Sequence, residues 1–218
     1  MSGRTWTNRT RFRRAILRHY RLNARAFPWR TSRDPYAVLI GEVLLQRTRG
    51  ENAARPYEEF IARWPTPNAL ATATREEIDE VIRPLGLSRR AAQLEALGGA
   101  LGALGEVPTN PEALARLPGV GPYAAHAVPV FAAGSNLAVV DWVIARVLRR
   151  YFGLPAILRP NGDVALWQEA ARLARPGRAR DLWLGTLDFA AAICSPRPKC
   201  GRCPLNVHCA YYLGDGAA

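Results

Sequence analysis

The sequence predicts an all-α protein, and three observations carry that expectation. Helix starts of the Asx-Pro kind recur at Asp34-Pro35 and Asn110-Pro111, Ala and Leu dominate the long segments, and no useful run alternates apolar and polar residues at period two. The first helix is expected from about Arg11 to Ala26. Asp34 then caps a helix that has Pro35 at its first position and runs to about Thr48. Another follows over Glu51 to Arg63. Thr74-Arg75-Glu76-Glu77 before Ile78 reads as a cap with acidic residues in the first turn, where the helix dipole favours them. Arg89 to Leu104 is helical, and Asn110-Pro111 opens a short helix that ends at Leu117-Pro118-Gly119. Pro122 to Ala133, Trp142 to Phe152, Asp163 to Leu173 and Arg180 to Ile193 complete the series.

With 218 residues the chain fits one or two domains with a real core, and 49% hydrophobic against 22% charged residues excludes wholesale disorder. No apolar run approaches the roughly 18–20 residues of a membrane span. The longest, Ala127 to Val140, is broken by Pro129, Gly134, Ser135 and Asn136. The N-terminal stretch has arginines but no apolar run behind them, so a cytoplasmic, nucleoid-associated setting is expected rather than secretion or a membrane. The net charge of +12 points to a polyanionic partner, with nucleic acid first among candidates. Lys199 is the sole lysine. A GC-rich coding bias explains Arg in place of Lys, but not the surplus of positive charge.

Two interruptions break the helical pattern. Leu117-Pro118-Gly119-Val120-Gly121 lies between helices, and its glycines permit a tight turn that brings phosphate close to backbone N–H groups. Such a helix–hairpin–helix, at about 110–133, grips DNA backbone without reading sequence. Leu85-Gly86-Leu87-Ser88 before Arg89 is either a second such turn or a plain connector. The other interruption is Cys194-x5-Cys200-x2-Cys203-x5-Cys209, which contains every cysteine of the chain. Four thiols so close together read as one metal site in a reducing compartment. Zinc and an iron–sulfur cluster both use four thiolates, and the spacing does not separate them.

Three stretches carry a family resemblance: Leu117-Pro-Gly-Val-Gly-Pro-Tyr-Ala-Ala125, Val139-Val-Asp-Trp-Val-Ile-Ala-Arg-Val147 and the four-cysteine tail. Through them the chain resembles the helix–hairpin–helix DNA glycosylases of the endonuclease III and MutY superfamily, from about Arg13 to Tyr212. Phe27-Pro-Trp-Arg30, Arg33-Asp-Pro-Tyr36, Glu42-Val-Leu-Leu-Gln-Arg-Thr48, Gly86-Leu-Ser88, Gly121-Pro-Tyr123 and Arg150-Tyr-Phe-Gly153 are most similar to the thymine–guanine mismatch glycosylases. The resemblance implies a [4Fe-4S] cluster on Cys194, Cys200, Cys203 and Cys209 rather than zinc. It also implies two lobes: a six-helix domain over 25–136, and a cluster domain made of 1–24 plus 137–218. Double-stranded DNA carrying a mismatched or damaged base is the expected partner, bound by a monomer. Two positions depart from the family pattern. The first cysteine gap is one residue shorter than usual, and Trp142-Val143 follow Asp141 where relatives usually have small or polar residues.

Breaking an N-glycosidic bond builds positive charge on the sugar and negative charge on the departing base, so a carboxylate and a proton or hydrogen-bond donor are needed. Asp141, after the apolar run Leu137 to Val140 and at a helix start, is the candidate for the sugar side. Glu42 is the second carboxylate, and its apolar neighbours Val38, Leu39, Val43, Leu44 and Leu45 should raise its pKa and suit it to act as an acid. Gln46 and Arg47 end that helix and suit a DNA-facing tip that replaces or reads the opposite base. Tyr123 occupies the slot where bifunctional relatives carry a Schiff-base lysine, which implies a monofunctional enzyme that uses water. Leu117, Gly119, Val120 and Gly121 are expected to grip phosphate, and Arg197, Lys199 and Arg202 to form a phosphate clamp between the cysteines. Trp29, Trp64, Trp142, Trp167 and Trp183 are read as core. The expected reaction is hydrolytic removal of thymine or uracil mispaired with guanine. The rivals are an adenine glycosylase acting opposite 8-oxoguanine, an endonuclease III-like enzyme on oxidised pyrimidines, and a non-catalytic lesion binder.

Overall fold

The computed structural model describes residues 3–86, 89–156, 159–175 and 177–214. The expected turn at Leu85-Gly86-Leu87-Ser88 falls partly outside them, at Leu87 and Ser88. Among the described residues there is no strand. The helices are α1 (Gly3–Asn23), α2 (Pro28–Thr31), α3 (Pro35–Leu44), α4 (Gly50–Arg63), α5 (Pro67–Ala71), α6 (Arg75–Ile82), α7 (Arg89–Leu104), α8 (Pro111–Leu114), α9 (Pro122–Phe131), α10 (Trp142–Phe152), α11 (Val164–Ala174), α12 (Ala179–Ala192) and α13 (Ala210–Leu213). None is long and apolar enough to cross a membrane.

Side-chain caps set six of the helix starts. Asp34 accepts from the N–H groups of Tyr36 and Ala37, and Asn110 accepts from Ala113 at 2.8 Å. Thr74 and Glu77 form a reciprocal capping box. Asp163 accepts from Leu166 at 3.0 Å. The sequence pattern missed α2, α5 and α13, and placed the start of α1 eight residues late.

The chain divides into two compact units, Ala26–Ala133 and Met1–Arg25 with Gly134–Ala218. In the first, α3 packs on α9 and α4, while α7 packs on α5 and α6. Leu39, Ile40, Leu44, Phe60, Ile78 and Leu94 fill its core. One helix end there departs from expectation. The run toward Thr48 stops at Leu44, and Arg47 takes a left-handed conformation at φ 58°. The cause is Arg90 of α7, which is buried and donates to the carbonyls of Val43 and Leu44 at 3.4 and 3.0 Å. A guanidinium here satisfies carbonyls that a continuing helix would have used, and its charge suits a helix C-terminus. Arg90→Leu should leave the Leu44 carbonyl unpaired, costing about 1–3 kcal/mol, while the Val43 carbonyl keeps the Gln46 N–H at 3.3 Å. Denaturant unfolding of the variant, read as a midpoint shift at constant slope, checks that cost.

In the second unit α1 lies on α12, and α12 lies on α10 and α11. Phe12 and Ile16, one turn apart on α1, are fully buried, as are Trp183 and Phe189 of α12. A Cβ at Gly185 would stand 2.8 Å from Cβ of Tyr20, so the contact between α1 and α12 depends on glycine. Arg9 of α1 and Glu169 of α11 form a bidentate pair at 2.6 and 2.7 Å, both side chains buried. The Trp183 indole donates to the Leu137 carbonyl at 2.9 Å, which holds the approach to α10 against α12.

Candidate active site

In the unit Ala26–Ala133, every residue of α3 from Tyr36 to Leu44 is buried, Glu42 included at 6% exposure. Its carboxyl group is therefore enclosed in the core of the unit, as the apolar neighbours suggest. Tyr123, half-buried, is the second residue of α9, the helix packed against α3. The second carboxylate and the residue in the lysine slot thus lie on two packed helices.

The hairpin differs from expectation in which groups it presents. Leu117 and Val120 are buried, and the Val120 N–H closes the turn on the Leu117 carbonyl at 3.2 Å. Those two residues anchor the loop and do not offer side chains or that N–H to DNA. Gly119, at φ 77°, adopts a conformation that strains any residue with a Cβ. Among the described residues, the N–H groups of Gly119 and Gly121 have no acceptor. They are the free donors from which a phosphate site at the start of α9 can be made.

Gln46 is also placed differently. Its amide donates to the Gly119 carbonyl at 3.0 Å, which ties the turn after α3 to the hairpin. Arg47, next to it, is exposed. Nothing in the local sequence around Gln46 signals a contact with a residue more than seventy positions away.

In the other unit, Asp141 caps α10. Its Oδ1 accepts from the Ile144 N–H at 2.6 Å. Burial pushes the carboxyl group above its usual range, while the N–H groups of Ile144 and Val143 and the charge of Arg146 pull the other way. Arg146 makes no ion pair with Asp141; its Nε donates to the Cys194 carbonyl at 3.0 Å. Sequence reasoning overlooked Arg146. Its position five residues after Asp141, on the same helix, was the available signal.

The four cysteines are half-buried free thiols, and all of them line one small pocket. Arg150 donates to the carbonyls of Ser195 and Pro196 at 2.7 and 3.1 Å and reaches Sγ of Cys194 at 3.6 Å. Burial pushes the Cys203 thiol up to about 11, and the other three sulfurs add to that shift. Among the described residues, no three His, Cys, Asp or Glu side chains converge closely enough for a single metal ion. His208 is engaged elsewhere, accepting from the Arg11 guanidinium at 2.6 Å. Arg197, Lys199 and Arg202 are exposed, with no ion pair among the described residues.

One tryptophan is misassigned by the sequence reading. Trp29, Trp64 and Trp183 are buried and Trp167 is half-buried, but Trp142 is 64% exposed.

A helical hairpin with free glycine N–H groups, a helix-capping aspartate after an apolar run, and an all-helical frame agree with the family comparison. Residues 40–166 match the HhH-GPD superfamily of base excision DNA repair proteins, and the chain belongs to that family. Among curated relatives it is 40% identical to a thymine-DNA glycosylase of Aeropyrum pernix, over 93% of this chain and 95% of that protein. It is 39% identical to a thymine/uracil-DNA glycosylase of Methanothermobacter thermautotrophicus, over 94% and 96%. Among solved structures, a thermostable thymine-DNA glycosylase superposes with a TM-score of 0.90 at 38% identity, covering 96% of this chain and 99% of that one.

Proposed function

We propose that the chain is a thymine/uracil-DNA glycosylase acting opposite guanine, monomeric on double-stranded DNA, monofunctional, and working on the nucleoid in the cytoplasm. The observation that carries the reaction is Asp141, a desolvated carboxylate fixed at the start of α10 by the Ile144 N–H. Relatives about 40% identical over nearly the whole chain and named for thymine and uracil support the choice of base.

The chemistry follows from charge. The everted nucleotide loses its base as the C1′–N1 bond breaks, and the electron pair leaves with the base. Ionised Asp141 stabilises the positive charge that remains on the sugar. Water then adds its oxygen to C1′ and gives up a proton, and the base takes one. Glu42, enclosed on α3, and Tyr123 on α9 are assigned to the base side, where a carboxyl or phenol O–H donates to the departing pyrimidine. Gln46 and Arg47 are assigned to the DNA-facing turn, and the free N–H groups of Gly119 and Gly121 to a phosphate. Arg197, Lys199 and Arg202 extend that phosphate grip, so affinity should fall as salt rises. The monofunctional assignment is supported by Lys199, the sole lysine, which lies in the cysteine segment rather than in the hairpin.

The HhH-GPD family includes [4Fe-4S] glycosylases. Four half-buried thiols lining one pocket are the donor set that such a cluster takes. Cys194, Cys200, Cys203 and Cys209 would hold it, and the cluster would brace the loop that carries the three cations. On this reading the six-helix domain covers 25–136 and the cluster domain 1–24 plus 137–218.

The test uses duplexes carrying T·G, U·G, A·8-oxoguanine and thymine glycol, with and without alkali after incubation. Strand breaks at T·G and U·G only after alkali are the expected result. Breaks without alkali, or an efficient borohydride-trapped adduct, would overturn the monofunctional assignment. Cleavage confined to another duplex would overturn the substrate.

A further inference from the structure

Trp142 has no folding role that its position explains. It is the first residue of α10, and the buried face of that helix is made by Ile144, Ala145, Val147, Leu148 and Tyr151. At 100° per residue Trp142 falls on the opposite side from that face. Its ring is 64% exposed, and among the described residues it has neither an aromatic nor a hydrogen-bonding partner. A large indole left in water beside a reacting group fits a ligand surface better than a core position.

The neighbour is Asp141, whose Cα is one peptide unit, about 3.8 Å, away. For Asp141 to stabilise charge at C1′, the sugar must come to the N-terminus of α10. The base bonded to that same carbon is thereby brought to the end of α10 that carries the indole. A base drawn out of the duplex has lost stacking on both faces, and an aromatic side chain restores part of it whatever the base.

We propose that Trp142 is a substrate-contacting residue that stacks on the everted pyrimidine. This rests on the glycosylase reading above and deepens it. Trp142 gives the extruded state affinity, while discrimination between bases falls to other groups, because every base offers a π-face.

The experiment measures binding to two duplexes, T·G and a tetrahydrofuran abasic analogue opposite G, in the Asp141→Asn background so that the substrate stays intact. Adding Trp142→Ala should weaken T·G binding by about 10- to 100-fold and leave abasic binding within about twofold, with Trp142→Phe recovering most of the loss. An equal loss on both duplexes would mean that the ring holds sugar, backbone or the gap in the stack, and would overturn the proposal. An unchanged T·G affinity would overturn it too. Excision by the wild-type chain is read first on the same T·G duplex and on U·G. Its absence fails the functional reading itself, whereas excision combined with either adverse binding result fails only the role of Trp142. A thermal midpoint unchanged by Trp142→Ala, expected for an exposed side chain, separates lost contact from lost folding.

Discussion

Asp141→Asn should slow base excision by at least about 10²–10³-fold, because the sugar cation loses the carboxylate assigned to it while the helix keeps an equally good cap. Single-turnover excision from a T·G duplex measures the loss, and a variant with wild-type rate would remove Asp141 from the mechanism. The pH dependence carries the same information. Burial raises the carboxyl pKa above the ordinary value near about 3.9, so the acid limb of the rate should lie above that value. Arg146 opposes the shift, and Arg146→Gln should therefore move the acid limb to higher pH. The sign for stability is the reverse of the usual carboxylate case. The folded state holds the Asp141 proton more tightly than the unfolded chain does, so stability falls as pH rises from the ordinary value through the raised one. Asn at this position removes that penalty. A variant that is dead yet no less stable at neutral pH is the expected pairing.

Breaking the Arg9–Glu169 pair should be strongly destabilising. Both groups are buried and bonded through two short contacts, so Arg9→Leu leaves the Glu169 carboxylate with only the part-exposed Arg172 at 3.4 Å and should cost up to about 3–5 kcal/mol. The double variant Arg9→Leu/Glu169→Leu should recover most of that loss, because a well-packed apolar pair is often no worse than a buried ion pair. Chemical denaturation of both single variants and the double variant gives the coupling directly. A double variant as unstable as Arg9→Leu alone would show that α1 needs the ion pair itself.

Much of this could be read along the chain because it depends on neighbours in sequence. The caps at Asp34, Thr74, Asn110 and Asp141 are satisfied by N–H groups two or three residues on, and each appears in the sequence as a residue type at a fixed offset. The enclosure of Glu42 follows from the apolar residues of its own helix. What escaped depends on distant partners. The end of α3 is set by Arg90 and the orientation of Gln46 by Gly119, and neither contact leaves a local mark. Helices of four or five residues, such as α2 and α5, are too short to establish a period, and their signs were a proline at the first position and, for α5, the capping Thr66 before it. Trp142 was misread because residue type predicts burial only on average, and here the opposite face of α10 took the core.

The bond from Gln46 to Gly119 has a mechanical meaning. It couples the turn that ends α3 to the loop that opens α9, so a displacement of either is felt by the other. On the proposed reading, a phosphate seated on the hairpin would thereby also set where the turn after α3 meets the duplex.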